Sequence, residues 1–241
     1  MSYLSNASWG EGDPTFETKK MALALHIRQS AKSTNQKAVI IDAGAGLGRN
    51  SIFLAKNGFN IQAVEYDSEA IPSLTENVNK NHFQEKINII HSSILDFLSN
   101  CPDNSVDGLL DSGMSHYLSY DEKQKYFDLL RQKLKSDAIF CITHFSEIDP
   151  TTSLCPVTKA QLLEFIGNML PIEDLYQSSW ESTLHTGVTH SFYNGLFVAK
   201  NNTHNQNIAK EYKKVLSMIQ SGNIKSLEEL LEFLQNTYAY R

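Results

Sequence analysis

The stretch Val39-Ile40-Ile41-Asp42-Ala43-Gly44-Ala45-Gly46-Leu47-Gly48 constrains the fold more than any other. A buried-type strand ends in an acid, three glycines alternate behind it, and a helix opens at about Asn50, running to Lys56 before Gly58 stops it. Strand, glycine turn and helix in that order form the first unit of an open parallel sheet. The glycines permit positive φ and let a ligand approach the backbone closely. The spacing separates ligand classes. A phosphate loop needs Lys and Ser/Thr where Arg49 and Asn50 stand. A dinucleotide loop needs its third glycine at position 49, but that glycine is Gly48. Asp42 would repel a pyrophosphate and suits a cationic ligand or one with an ammonium group.

The rest of the main body keeps the same rhythm. Asn60–Glu65, Ile87–His91, Val106–Asp111 and Ala138–His144 read as further strands. Helices are expected from Ser68 to Lys80 and from Asp121 to Lys135, the latter with Tyr126, Phe127, Leu130 and Leu134 at helical spacing. Apolar strands between amphipathic helices mean a mostly parallel, doubly wound α/β sheet covered on both faces. After Glu147 the pattern changes. A helix over Thr158–Leu170 precedes two strand-like runs, Ile172–Gln177 and Thr189–Ala199, with no long helix between them, so they pair as an antiparallel hairpin at the sheet edge. Thr15–Ser30 reads as an N-terminal helix, and 205–238 as two helices joined around Ser221-Gly222-Asn223. The expected division is an N-terminal helical segment over 1–34, a main domain over 35–200 and a C-terminal helical extension over 201–241.

Composition narrows the function. At 41% hydrophobic and 20% charged residues, the 241-residue chain is globular and large enough to fold without a disulfide or metal. A net charge of -6 argues against a general grip on nucleic acid. Cys101, Cys141 and Cys155 are far apart and odd in number, which argues against a disulfide framework or a cysteine metal site. Met1–Pro14 has no basic flank or apolar run, and no window reaches the ~20 apolar residues of a membrane span. A soluble cytoplasmic protein is expected.

Glu65 ends the second strand, 21 positions after Gly44. An acid at about that distance can accept both hydrogen bonds of a ribose diol; Asp67 is a weaker competitor. With the glycine loop, this resembles motif I and the following acidic motif of class I S-adenosylmethionine-dependent methyltransferases, over about residues 35–200. Gly-Arg-Asn-Ser-Ile-Phe-Leu-Ala after the loop and Asp-Ser-Gly-Met-Ser-His-Tyr-Leu after the fourth strand are similar to the subgroup of tellurite-resistance and thiopurine-type methyltransferases. The resemblance implies a Rossmann-like seven-stranded sheet with an antiparallel last strand. It implies S-adenosylmethionine as cofactor and S-adenosylhomocysteine as product. Carried over, Gly44, Ala45 and Gly46 line the methionine part, Asp42 holds the loop and the ammonium region, Arg49 and Asn50 follow at the helix start, Glu65 binds the ribose and Tyr66 lies beside the adenine. Ser93 and Ile94 stand where the family often has an acid for the adenine amino group, a departure that leaves the adenine contact open. Asp96 is too far along.

Methyl transfer is an in-line displacement, so the protein must mainly align the acceptor, with a base where the acceptor carries a proton. In open α/β sheets this happens beyond the carboxyl ends of the strands. Asp111 sits where the family's fourth motif faces the methyl group, and His116 follows, titrating near neutral pH; each could instead support its loop. Met114 and Tyr117 flank them as substrate residues. His144 and Glu147 end the fifth strand, and His190 and Tyr193 lie on the hairpin; ordinary edge polarity is the alternative reading. His185 and His190, five apart, match no zinc spacing, so no metal is expected. Tyr3, Trp9 and Phe16 suggest a segment that lids the cofactor.

The leading reading is a methyltransferase acting on an oxygen, sulfur or nitrogen atom of a small molecule. The alternative is a non-catalytic module that binds the cofactor or its product as a sensor or partner-binding domain. A nicotinamide oxidoreductase fails on the loop spacing. The Asn/Asp-Pro-Pro-Tyr/Phe signature of amino-nitrogen methylation is missing, since Asp111-Ser112-Gly113-Met114 stands there. Partners are a small-molecule acceptor and either none or a second copy of the chain, the C-terminal apolar stripe fitting either a core or a dimer surface.

Overall fold

A computed structural model describes residues 13–32, 38–148, 155–181, 189–226, 229–230 and 232–234. At its centre lies β1 (Val39–Ala43), with β2 (Asn60–Glu65) on one side and β4 (Val106–Ser112) on the other, both parallel to it. β3 (Ile87–His91) pairs with β2, and β5 (Leu134–Phe145) with β4, again in parallel. β6 (Leu170–Glu181) and β7 (Thr189–Val198) form the expected antiparallel hairpin, with β7 inserted antiparallel between β5 and β6. The order β3-β2-β1-β4-β5-β7-β6 is the seven-stranded sheet implied by the resemblance, its last strand antiparallel. The order reverses at β1, whose neighbours are β2 and β4. A crevice forms at such a switch point, beyond the carboxyl ends of the strands.

The pleat divides the core between two faces. Ile40, Ile139, Cys141 and Leu196 face α1 (Phe16–Ser30), α2 (Arg49–Lys56), α3 (Ala70–Lys80) and α7 (Thr203–Gln220). Ile41, Phe140, Ile142 and Phe197 face α4 (Ile94–Asn100), α5 (Tyr120–Lys133) and α6 (Lys159–Ile166). Met21, Leu25 and Ile27 of α1 and Tyr212 and Val215 of α7 belong to the same core as β1 and β5. The terminal helices are therefore built into the main body. The sheet ends away from the crevice are locked by Arg28, 1% exposed at its side chain, which pairs with Asp107 at 2.7 Å and Asp137 at 2.9 Å.

Helix ends follow their sequence signals where these exist. Ser119 and Glu122 close a capping box on α5, and Thr158 and Gln161 do the same for α6. α6 stops at Ile166 rather than Leu170 because Gly167 adopts φ 64° there. Ser68 does not cap α3; Glu69 occupies the cap position without a side-chain hydrogen bond. α4 was not expected from the sequence. Of the second C-terminal helix only 229–230 and 232–234 are described, and they are helical. Among the described residues no helix is long and apolar enough to cross a membrane.

Candidate active site

The glycine loop sits at the switch point and is held from three sides. Gly44 and Ala45 donate their N–H groups to the Val64 carbonyl at 2.9 and 3.1 Å, tying the loop to β2. Asn77 of α3 donates to the Leu47 carbonyl at 3.0 Å. Gly44, Gly46 and Gly48 all have positive φ, at 69°, 55° and 88°. Their surroundings differ. A Cβ on Gly44 would lie 2.8 Å from the Met114 Cβ, so the loop rests directly on the turn after β4. A Cβ on Gly46 would meet nothing within 4 Å. The loop is therefore packed at its first glycine and open at its second.

Two acids frame that open position. Glu65 accepts from the Gly46 N–H at 2.7 Å and from the Asp67 N–H at 2.8 Å. Its carboxylate is thereby fixed over the loop, with lone pairs to spare for a diol. Tyr66 beside it is 75% exposed, a free ring face at the crevice edge. Asp42 is buried and accepts from the Ser51 hydroxyl at 2.6 Å, joining the end of β1 to the first turn of α2. Burial pushes its carboxyl up to about 6; the Ser51 bond works against that rise, nearby Glu65 adds to it, and Arg49 opposes it. A cation at this position would restore the ionised form.

Several expected residues also bond within the chain. Asn50 is buried and its side-chain carbonyl accepts from the Thr15 N–H at 3.1 Å, which anchors the start of α1. Ser93 is the N-cap of α4, accepting from the Asp96 N–H at 3.1 Å and donating to the Asp96 carboxylate at 2.7 Å. Ile94 is buried in the core with Val64 and Leu98. Both stand at the start of α4, whose first backbone N–H groups have no partner within the helix. Asp111 is fully buried, and its Oδ1 accepts from the Met114 and Ser115 N–H groups at 2.9 and 3.1 Å, so it builds the turn after β4. Tyr3 and Trp9 of the suggested lid, and His185, lie outside the described residues; Phe16 is exposed, with the Lys20 ammonium 4.7 Å from its ring centre.

At the carboxyl ends of β4, β5 and β7 the structure brings the histidines together. His116 lies in a short 3-10 turn (Ser115–Tyr117), its ring 6.0 Å from that of His144 and 4.2 Å from that of Phe145. His190 stands 5.4 Å from Phe145. Glu147 is exposed and accepts from the buried Tyr193 hydroxyl at 2.8 Å. Met114 is half-buried against the loop and Tyr117 half-exposed. Burial keeps both central imidazoles neutral, His144 at about 4 and His116 well below its ordinary value. Sequence reading missed Ser51, Asn77, Phe145 and Phe192. Ser51 had a signal, a hydroxyl in the first turn of the helix behind an acid-ending strand. Phe145 and Phe192 had none, because only the pairing of β5 with β7 sets them together. Among the described residues no group of His, Cys, Asp and Glu can hold a metal.

Residues 40–149 match the family model described as a methyltransferase domain. A tRNA1(Val) (adenine(37)-N6)-methyltransferase of Dyadobacter fermentans is 39% identical over 62 residues, covering 25% of this chain and 26% of that protein. An EEF1A lysine methyltransferase 2 of Danio rerio is 29% identical over 144 residues, covering 56% of this chain and 55% of that protein. The matched segments thus span about a quarter and about half of those relatives. In fold, the chain is similar to the 1,6-didemethyltoxoflavin-N1-methyltransferase of Burkholderia thailandensis, solved with S-adenosylhomocysteine, at TM-score 0.57 and 19% identity over 82% of this chain and 83% of that one. It is also similar to TehB of Haemophilus influenzae, at TM-score 0.57 and 16% identity over 73% and 61%.

Proposed function

We propose that this chain is an S-adenosylmethionine-dependent methyltransferase that moves a methyl group to an oxygen, sulfur or nitrogen atom of a small molecule. The observation that carries the reading is the Glu65 carboxylate, fixed by two backbone N–H groups above a glycine loop that is open at Gly46. The methyltransferase-domain match over 40–149 and the strand order support it.

The residues present fit this cofactor. Glu65 offers acceptors to a ribose diol, and exposed Tyr66 offers a face to adenine. Asp42 places a carboxylate near the open end of the loop, where a positive ligand favours its ionised form. Arg49 acts on the same acid and is the cation at the start of α2. S-adenosylmethionine supplies an electrophilic methyl group when bound. The chain's own contribution is alignment. Asp111 fixes the 112–117 turn, Gly44 against Met114 sets that turn on the cofactor loop, and His116, His144, Glu147, His190 and Tyr193 line the acceptor side. His116 and His144 are neutral bases at the strand ends.

Tritium transfer from methyl-labelled S-adenosylmethionine into a fractionated cell extract tests this. Label is expected in the small-molecule fraction. Label confined to protein would support a lysine-type acceptor, the second reading, favoured by the likeness to the Danio rerio enzyme. Tight cofactor binding with label in no fraction would favour a sensor or partner-binding module.

A further inference from the structure

We propose that the acceptor is a planar aromatic ring bearing an ionisable hydroxyl or thiol, seated against Phe145 and Phe192, with His116 Nδ1 taking its proton. This rests on the methyltransferase reading and gives it a substrate class.

The first observation is a wall of rings at the strand ends. Phe145 and Phe192 face each other across β5 and β7 with centroids 4.8 Å apart and planes 21° apart. His116 continues the wall at 4.2 Å from Phe145, and His190 lies 5.4 Å from Phe145 and 6.3 Å from Phe192. Tyr117, half-exposed, stands 4.6 Å from His116 at the rim. Offset contacts between flat rings are the cheapest way for a protein to hold a flat ligand.

The second observation is where this wall stands. Gly44 of the glycine loop touches Met114, two residues before His116, closely enough that any side chain at 44 would collide. Gly113, at φ 94°, leaves room for the His116 ring; a Cβ there would lie 3.0 Å from His116 Cε1. The imidazole is thus set by two glycines beside the loop from which the methyl group would come.

The third observation is polar. His116 Nδ1 and Ser146 Oγ are buried without a hydrogen-bond partner, whereas the Ser115 hydroxyl bears on the Asp111 carboxylate and His144 on the Ser115 backbone. Buried polar atoms are nearly always paired, and each unpaired one costs about 1–3 kcal/mol. Two of them beside one ring stack point to a ligand that supplies hydrogen bonds. The charged and titratable groups acting on His116 are His144, Lys123 and His190. The Lys123 ammonium is engaged by the Leu118 carbonyl, and the Glu147 carboxylate by the Tyr193 hydroxyl. The Asp111 carboxylate is fully buried and engaged by the Met114 and Ser115 N–H groups and by the Ser115 and Tyr126 side chains, whereas a neutral imidazole suits an O–H or S–H donor. In the reaction, the acceptor's oxygen or sulfur bonds to the methyl carbon as the sulfonium carbon–sulfur bond breaks. The electron pair stays on that sulfur, and the acceptor's proton passes to His116 Nδ1 and on to water.

The test uses the full chain saturated with S-adenosylhomocysteine for binding, and with S-adenosylmethionine for turnover. The probes are naphthol, hydroxyquinoline and thiophenol, with cyclohexanol and hexylamine as controls. The aromatic probes are expected to bind and be methylated, and the controls are not. His116→Asn is expected to lower kcat about a hundredfold with KM little changed and to remove the acidic limb of the pH–rate profile. Phe145→Leu is expected to raise KM about tenfold with kcat nearly kept. Methylation of hexylamine in preference to the aromatic probes overturns the proposal, as does failure of every aromatic probe to bind while S-adenosylhomocysteine does. Failure of S-adenosylhomocysteine itself to bind overturns instead the reading on which the proposal rests.

Discussion

The two ends of the crevice are built on opposite principles. At the glycine loop nearly every polar group is already paired within the chain: Asp42 with Ser51, Glu65 with the Gly46 and Asp67 N–H groups, Leu47 with Asn77. At the ends of β4 and β5, the buried His116 Nδ1 and Ser146 Oγ lack partners beside a stack of rings. The first end is preorganised for a ligand whose shape does not vary. The second keeps its hydrogen-bonding capacity in reserve for the acceptor, at a cost in stability.

Gly44 joins the two ends, and a change there is expected to have the largest effect. Gly44→Val combines a branched residue at φ 69° with a collision against Met114. A loss of about 2–5 kcal/mol in urea unfolding is expected, together with loss of cofactor binding. A loss of binding with unchanged stability would mean that the loop does not rest on the acceptor turn.

Acid is the next lever. His144 and, on the other face of the sheet, His26 are held at about 4 by burial, below the ordinary 6.5. The unfolded chain takes up protons at these sites first, so they cost nothing above 6.5, and the folded state loses stability as pH falls from 6.5 to 4. Each histidine contributes up to about 3 kcal/mol. Asp42 opposes them: held up at about 6 against the ordinary 3.8, it takes up its proton first in the folded state, which adds stability of up to about 3 kcal/mol as pH falls from about 6 to 3.8. Urea midpoints across this range should drop towards acid, less steeply in His144→Gln. Cofactor affinity should also weaken as pH falls through about 6, because a protonated Asp42 no longer attracts a cation.

A pair of serines separates the two ends most cleanly. Ser51→Ala leaves the buried Asp42 without its donor and should cost about 1–3 kcal/mol. Ser146→Ala removes an unpartnered hydroxyl and should cost less than about 0.5 kcal/mol or stabilise. Equal losses in thermal and urea unfolding would erase the contrast.

The sheet was legible because β1, β2, β4 and β5 are apolar and each ends at a glycine or a polar turn, and because no helix fits between β6 and β7. Glu65 was legible from its distance to the loop. α4 was not, although Ser93 and Asp96 carried a helix-start pattern; seven residues with Ile94, Leu95, Phe97 and Leu98 show too little periodicity to stand out. Asp111 was legible only in part. Its position at the end of a strand is that of a functional acid, but its direction is set by two N–H groups three and four residues on, which only the turn geometry reveals. The aromatic wall depends on the register Phe145↔Phe192 and could not be read from either strand alone.

The central claim is that Glu65 and the open glycine loop hold S-adenosylmethionine. Calorimetric titration of the purified chain with S-adenosylmethionine and S-adenosylhomocysteine, with NADH as control and Glu65→Ala alongside, tests it most directly. The account predicts micromolar binding of both sulfur compounds, at least about tenfold weaker in the variant, and none of NADH. Binding of neither by protein shown to carry no co-purified cofactor, or binding that Glu65→Ala leaves unchanged, would contradict it.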